Sequence, residues 1–421
     1  MLKIALIGFG TVGQSVARIL CDGTHERLSL AVICNRHVER KKADWVPPGI
    51  VWTSDIGDVL RSEVDVVVEL IGGEDPATEW IRQSLEAGKS VVTGNKQVIA
   101  HSGASLIKVA ARHGCHLLFE AAVAGGIPVI RGVQEGLAGD KLLRLSALLN
   151  GTCNFILTRM EADNISFADA LKEAQTRGFA ESDPTADVDG ADAQAKLAIL
   201  SAVGLGFAVG VDAIPCRSIR PVETVDFTYA HRLGCTIRQV SRAEIIGDNG
   251  FAITASVQPM LVPTTSPLAR AEGSQNVIIV DGERSGETAF SGFGAGGDPT
   301  AVAVVSDLAS IERGGVVESL WPAKGPRAEV EVDFMAPQYV RFVVIDRPGI
   351  IADLAGVFAR CQVNIDSLLQ EPGWAKSELP FVITLERCST RAVQDALAEI
   401  GSFDFHARQP VWMPFLVGKE T

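Results

Sequence analysis

Five carboxylates and one lysine crowd into residues 181–196: Glu181, Asp183, Asp187, Asp189, Asp192 and then Lys196. Asp183-Pro184 and Gly190 are turn formers, so the acids belong to a loop that leads into a helix. Asp192 and Lys196 stand at i and i+4 and so share one helix face. On an open surface that pair is a common ion pair worth little. Buried beside a cofactor, the same pair becomes a tuned proton carrier.

A second constellation stands at the start of the chain. Gly8-Phe9-Gly10-Thr11-Val12-Gly13 has the spacing G-x-G-x-x-G, directly after the apolar run Leu2–Ile7 and before a helical pattern. In that context the first glycine allows a tight turn and the second lets backbone approach a pyrophosphate. The third lets helix and strand pack closely. The helix N-terminus supplies free N–H groups for the phosphates. The second apolar run ends Cys34-Asn35-Arg36-His37, with Arg40, Lys41 and Lys42 soon after. A site for NAD has a carboxylate at this strand end. Here Arg36 stands in its place and could pair with a 2′-phosphate, which favours NADP over NAD. The same charges also suit a solvated basic loop.

Three further groups carry polar or reactive side chains. Lys96 follows a strand end and a Gly94-Asn95 turn, where an ammonium could face a nicotinamide or a reacting oxygen. Spacing alone suits a loop lysine in solvent equally well. His113, Cys115 and His116 have no further Cys or His at metal spacing and read as a loop. Cys153 has no histidine partner and reads as packing.

The elements that must position these residues alternate. Over residues 1–130, strand-like runs at 2–7, 28–34, 64–70, 90–93 and 116–119 are interleaved with helical patterns at 14–20, 78–87 and 104–113. That order predicts a parallel sheet covered on both faces. Residues 131–300 carry more Gly and Pro. Helices are expected at 167–177 and 191–203, strands at 251–257 and 277–280, and a helix at 300–315 returning to the first domain. Residues 312–337 read as a linker. From Tyr339 the order is β-α-β-β-α-β, the split-βαβ arrangement, in a unit spanning 338–415.

Composition excludes several classes. The chain has 421 residues, 47% of them apolar, and a net charge of −13. Nucleic acids and anionic membranes are bound by clustered Lys and Arg, so neither is an expected partner. The eight cysteines form no C-x-x-C pair and point to a reducing compartment. The longest uncharged apolar run, 197–211, has 15 residues, short of the roughly 20 a membrane span needs. A cytoplasmic protein is expected.

The acid–lysine block resembles the signature of the homoserine dehydrogenase family, A-x3-G-F-A-E-x-D-P-x2-D-V-x-G-x-D-x3-K, at every fixed position from Ala174 to Lys196. Thr93-Gly-Asn-Lys96, Glu120–Pro128, Asn150–Asn154 and the stretch 292–301 are similar to other family segments. The tail, with Asp346-Arg-Pro-Gly349, resembles an ACT domain. The resemblance implies an α/β protein in three parts. They are a Rossmann-type dinucleotide-binding domain (1–130), an α+β substrate and dimerisation domain (131–300) and a C-terminal ferredoxin-like ACT domain (338–415). It implies NAD(P)H-dependent reduction of L-aspartate 4-semialdehyde to L-homoserine, on the route to threonine and methionine. By resemblance, Lys196 donates the proton, Lys96 assists, and Glu181, Asp187 and Asp192 hold the substrate. Gly178, Gly294 and Gly296 touch the cofactor together with the glycine loop, Arg36 and Lys96. Glu120, Val123, Gly125 and Ile127 match a sodium loop, although without the family a plain turn would explain them. Threonine at the ACT unit and a homodimer or homotetramer complete what the family implies. A sensor without catalysis and a dehydrogenase acting on an amine such as aspartate are the alternatives. The intact Lys196–Asp192 pair weighs against the first, and the acid–lysine block with the ACT-like tail against the second.

Overall fold

The computed structural model describes residues 1–246, 252–315 and 329–418. Part of the expected linker, residues 316–328, and Phe251 lie outside them. The first sheet contains β1 (Leu2–Ile7), β2 (Leu28–Cys34), β3 (Val51–Thr53), β4 (Val66–Glu69), β5 (Ser90–Thr93) and β6 (Leu117–Leu118) in the order 3-2-1-4-5-6. All neighbours are parallel. β4 is buried along its whole length, as a strand covered on both faces must be. The strand order reverses between β1 and β4, which opens a crevice at their carboxyl ends. The helix Thr11–Cys21 leaves β1 through the glycine loop. The expected return helix spans Gly297–Arg313. Its Ala301, Val304 and Leu308 share one buried cluster with Val16, Ala17 and Leu20 of the first helix.

The second sheet holds β7 (Leu142–Leu148), β8 (Cys235–Ile246), β9 (Ala252–Pro263), β10 (Gln275–Gly282), β11 (Gly286–Phe293) and β12 (Glu329–Glu331) in the order 11-10-7-8-9-12. The β8–β9 pair is antiparallel over 12 residue pairs, and sequence reading did not find β8. The cause is burial of both its faces: Arg238 and Gln239 are as enclosed as Ile237 and Val240, so the apolar–polar alternation is lost. β12 lies inside the stretch read as a linker and pairs parallel with β9. The described ends of that stretch are therefore structure rather than connector. The helix Ala191–Leu200 continues through a π-helical turn, Ser201–Leu205.

The third sheet contains β13 (Met335–Val344), β14 (Ile365–Gln370), β15 (Leu379–Ser389) and β16 (His406–Pro414), ordered 14-15-13-16. Helices Ile350–Arg360 and Thr390–Ile400 complete the expected β-α-β-β-α-β order, with the first strand starting before residue 338. Along β13 the side chains alternate. Val340, Phe342 and Val344 pack on the two helices, and Tyr339 turns to the other face, toward the second domain.

That other face is held by a buried charge. Asp226, in the first turn of the helix Thr224–Arg232, accepts from Tyr339 Oη at 2.7 Å and from Arg341 Nε at 2.8 Å. Its second oxygen accepts from the Glu223 amide at 2.8 Å. Arg341 also donates to the Pro221 carbonyl at 2.8 Å. Both partners of the pair are buried. Removing one partner of such a pair strands the other charge and costs about 3–5 kcal/mol. Asp226→Ala should therefore lower unfolding stability by about that amount, read from urea denaturation of the full chain. A loss under about 1 kcal/mol would show that the two domains are joined mainly by apolar packing.

Candidate active site

The helix Lys96–Arg112 starts directly after β5, and its first residue is Lys96. Asn95 caps it, accepting from the Val98 amide at 3.3 Å and donating to the Gly73 carbonyl at 2.6 Å. The Asn95 amide in turn bonds Thr93 Oγ1, which donates to the buried carboxylate of Glu69 at 2.5 Å. Burial pushes the Glu69 carboxyl up. This chain of polar contacts fixes where Lys96 emerges. Sequence reading passed over Glu69 because it ends an apolar strand.

The acid–lysine helix comes from the second domain. Gly190, at φ +95°, makes the turn into Ala191–Leu200, and Asp192 lies in the first helical turn. Both ammonium groups meet on this one carboxylate. Lys96 Nζ is 2.9 Å from Asp192 Oδ1, and Lys196 Nζ is 2.7 Å from Oδ2. Lys196 also donates to the Leu149 carbonyl at 2.8 Å. Burial by itself would raise the Asp192 carboxyl. The charges of Lys196 and Lys96 outweigh it and hold the group well below the usual carboxylate range. Burial works against the charge on Lys96, yet Asp192, Asp187 and Glu181 together raise its pKa. Two ammonium groups thus stand together at the crevice, and an ammonium suits an oxygen that gains negative charge.

Asn150 ties the acids together, a role the sequence did not reveal. Its Nδ2 donates to Asp187 Oδ1 at 2.6 Å and to Asp192 Oδ2 at 3.0 Å, and its Oδ1 caps the helix Gly151–Asp163. Thr152 Oγ1 adds a bond to Asp187 Oδ2 at 3.1 Å. Asp187 is thereby held in place, with one hydrogen bond to each oxygen and its side chain only partly buried, which leaves acceptor capacity on the carboxylate. Glu181 is exposed on the loop and stands outside the hydrogen-bonded cluster, although its charge reaches Lys96.

The glycine loop has the room a dinucleotide needs. A Cβ at Gly13 would sit 2.2 Å from the Gly8 carbonyl, whereas a Cβ at Gly10 would meet nothing within 4 Å. So Gly13 serves the helix–strand contact, and Gly10 leaves open space before the helix N-terminus, with no acid in that helix's first turn. Thr11 and Val12 begin that helix. At Phe9 only the backbone is open to a cofactor. Its side chain is buried against Trp45 and Trp52, and only its backbone faces the loop, where its amide meets Asn35 Oδ1 at 3.4 Å. Arg36 is exposed just beyond β2. Gly178, at φ +77°, ends the helix Phe167–Thr176, its amide bonded to Gln175. Gly294 is required by packing, because a Cβ there would lie 2.1 Å from the Asn276 side chain. Gly296 precedes the return helix at φ +120°.

The loop at 120–127 is a tightly braced turn. Both Glu120 oxygens already accept backbone amides, of Ile130 at 2.8 Å and Arg131 at 2.9 Å. The carboxylate braces the turn, one amide to each oxygen. Asp307 of the return helix bonds the Glu120 amide and Arg131. Its carboxyl is pushed up to about 7 by burial and by the Glu120 charge. Ala124 and Gly125 both adopt positive φ, a tight turn that leaves backbone carbonyls as the oxygens a hard cation could use. Among the described residues, no group of three or more His, Cys, Asp or Glu could hold a metal ion.

A doubly covered parallel sheet with a glycine loop, and a paired lysine and acid across its crevice, define a dinucleotide-dependent oxidoreductase. Family profiles agree: "Homoserine dehydrogenase, NAD binding domain" matches residues 8–120, "Homoserine dehydrogenase" matches 128–309 and "ACT domain" matches 338–404. A homoserine dehydrogenase of Mycobacterium tuberculosis is 40% identical over 379 residues, 87% of this chain and 86% of its own. The crystal structure of a homoserine dehydrogenase from Thiobacillus denitrificans superposes with a TM-score of 0.90 at 32% identity, covering 99% of this chain and 98% of that one. A hyperthermophilic archaeal homoserine dehydrogenase in complex with NADPH gives a TM-score of 0.62 at 27% identity, over 78% of this chain and 99% of that one. The chain belongs to the homoserine dehydrogenase family. Its activity is the NAD(P)-dependent interconversion of L-aspartate 4-semialdehyde and L-homoserine.

The Asp192 environment has a pH signature. A carboxyl held low in the folded state adds stability above its unfolded pKa, and this is lost as pH falls through the folded value. The chain should lose stability progressively below about pH 4. Asp192→Asn should be less stable at neutral pH and show a shallower loss in acid. Urea midpoints across that range test this, and parallel curves for the two proteins would rule out charge coupling at Asp192.

Proposed function

We propose that Lys196 moves the proton, that Asp192 and Lys96 fix and polarise it, and that NADP is the preferred nicotinamide cofactor. The observation carrying this is the Lys96–Asp192–Lys196 triad at the crevice. When bound, the dinucleotide supplies or takes the hydride. The Lys196 ammonium then has one task, to hold or give a proton at the substrate oxygen as its charge develops. Asp192 keeps that ammonium aimed. Glu181, exposed on the same loop, is assigned the substrate's amino group. Lys196→Ala should lower kcat by about 10²–10⁴-fold with little change in cofactor affinity. Near-normal turnover in a folded variant would remove Lys196 from the mechanism.

The cofactor preference rests on Arg36, and the NADPH complex of the archaeal relative supports it. Arg36→Asp should weaken NADPH use by at least about tenfold more than NADH use. Equal effects on the two cofactors, measured as kcat/KM, would show that Arg36 does not read the 2′ position.

Four further readings belong to the same proposal. The backbone carbonyls of residues 120–127, with Val123, Gly125 and Ile127, suit a monovalent cation such as sodium. The ACT unit suits an amino-acid effector, with threonine the first to try, as the end product of the threonine and methionine route. Unpaired outer edges at β11 and β14 among the described residues suit assembly into a homodimer or homotetramer. Among the described residues no helix is long and apolar enough to cross a membrane; work in the cytoplasm on small molecules is part of the same reading.

A further inference from the structure

The segment 215–223 has no part in the chemistry above, yet it joins the third sheet to the acid–lysine helix. It is stitched to β9 at its start: the Val257 amide donates to the Pro215 carbonyl at 2.9 Å, and the Arg217 amide donates to the Val257 carbonyl at 2.9 Å. Its middle grips the acidic loop. Ser218 Oγ donates to Asp189 Oδ1 at 2.6 Å, and the Ile219 amide donates to the Val188 carbonyl at 3.1 Å. Arg220 Nε adds a contact to Asp189 at 3.2 Å. Asp189 precedes Asp192 by only three residues, with Gly190 between them. A Cβ at Gly190 would lie 3.4 Å from that of Cys216, so the turn into the helix rests directly on this segment.

Both ends are held by the ACT unit. At one end, Arg217 donates to the Trp412 carbonyl at 2.7 Å, and its guanidinium lies 3.8 Å over the Trp412 ring. At the other, Arg341 bonds the Pro221 carbonyl and Asp226. Between the ends, Ile219 and Val222 are buried in one cluster that includes Val188 of the acidic loop and Tyr339, Val382 and Met413 of the ACT sheet. Close packing of this kind passes displacement on rather than absorbing it.

We infer that residues 215–223 are a strap through which the ACT unit sets the position of Asp192 and Lys196, with Ser218 and Arg341 as positioning residues. The inference rests on the proposed roles of Asp192 and Lys196. The strap touches neither group. It holds Val188 and Asp189, just before the Gly190 turn, so a shift of the ACT sheet moves the start of that helix and the carboxylate in its first turn. Misplacement of a reacting group by about 1 Å can cost about 10²-fold in rate, so a partial shift is enough to regulate.

The test is a double-variant cycle in the full-length chain, with Ser218→Ala in the middle of the strap and Arg341→Lys at its end. Each single change should lower kcat for homoserine oxidation by about tenfold, with KM for the dinucleotide within about twofold. Ser218→Ala should also shift the pH profile of kcat, which a mere loss of folded protein would not do. The double variant should be no slower than the slower single, because both break one connection. Multiplied effects, near a hundredfold by the same reckoning, overturn the inference, as does an unchanged kcat and pH profile in Ser218→Ala. Should Arg341→Lys fail to fold, Trp412→Leu replaces it in the same cycle. Lys196→Ala measured alongside separates the two claims. If it keeps full turnover while the cycle is non-additive, the strap stands and the role given to Lys196 falls.

Discussion

The structure turns on one carboxylate shared by two ammonium groups. Asp192 meets Lys196 from its own helix and Lys96 from the helix that follows β5. Lys96 belongs to the dinucleotide-binding sheet and Asp192 to the second domain, so the contact exists only when the two domains are closed on each other. Enclosing Asp192 and Lys196 is costly in general, and the arrangement is tolerable because Lys96 stays partly exposed and the Leu149 carbonyl and Asn150 complete the hydrogen bonding. What the cost secures is a lysine whose direction is set before substrate arrives.

The supports around that contact are layered. Glu69, Thr93 and Asn95 hold Lys96 in place from below. Asn150, Asp187 and Thr152 hold the acidic loop from the side. The return helix Gly297–Arg313 closes the first domain, and its Asp307 reaches the Glu120 turn where first and second domains meet. Each support is a polar group with its hydrogen bonds satisfied, which is what keeps a buried network rigid.

The ACT unit is tied into this frame rather than attached by a tether. Its sheet has helices on one face and the second domain on the other, with Asp226 and Arg341 buried between. The β-α-β-β-α-β order was legible because its strands include apolar runs and its helices are amphipathic. The docking was not, because Arg341 sits in an apolar strand and looks, in sequence, like a solvent-facing residue.

Local features were readable wherever a short stretch of chain carried its own constraint. The glycine loop, the alternation of strand and helix in the first domain and the Asp192–Lys196 face all depend on neighbours within a few residues. So did the split-βαβ tail. Other features depended on residues far apart. β8 hid because both its faces are covered, which removes the period that marks a strand. The amides of Ile130 and Arg131 donate to Glu120, and Asn150 and Thr152 donate to Asp187, partners that no local pattern announces. A side chain's type and spacing state what bonds it can form. Only the tertiary structure decides which partners are close enough to take them, because a buried polar group must be satisfied by whatever the fold brings within hydrogen-bond reach.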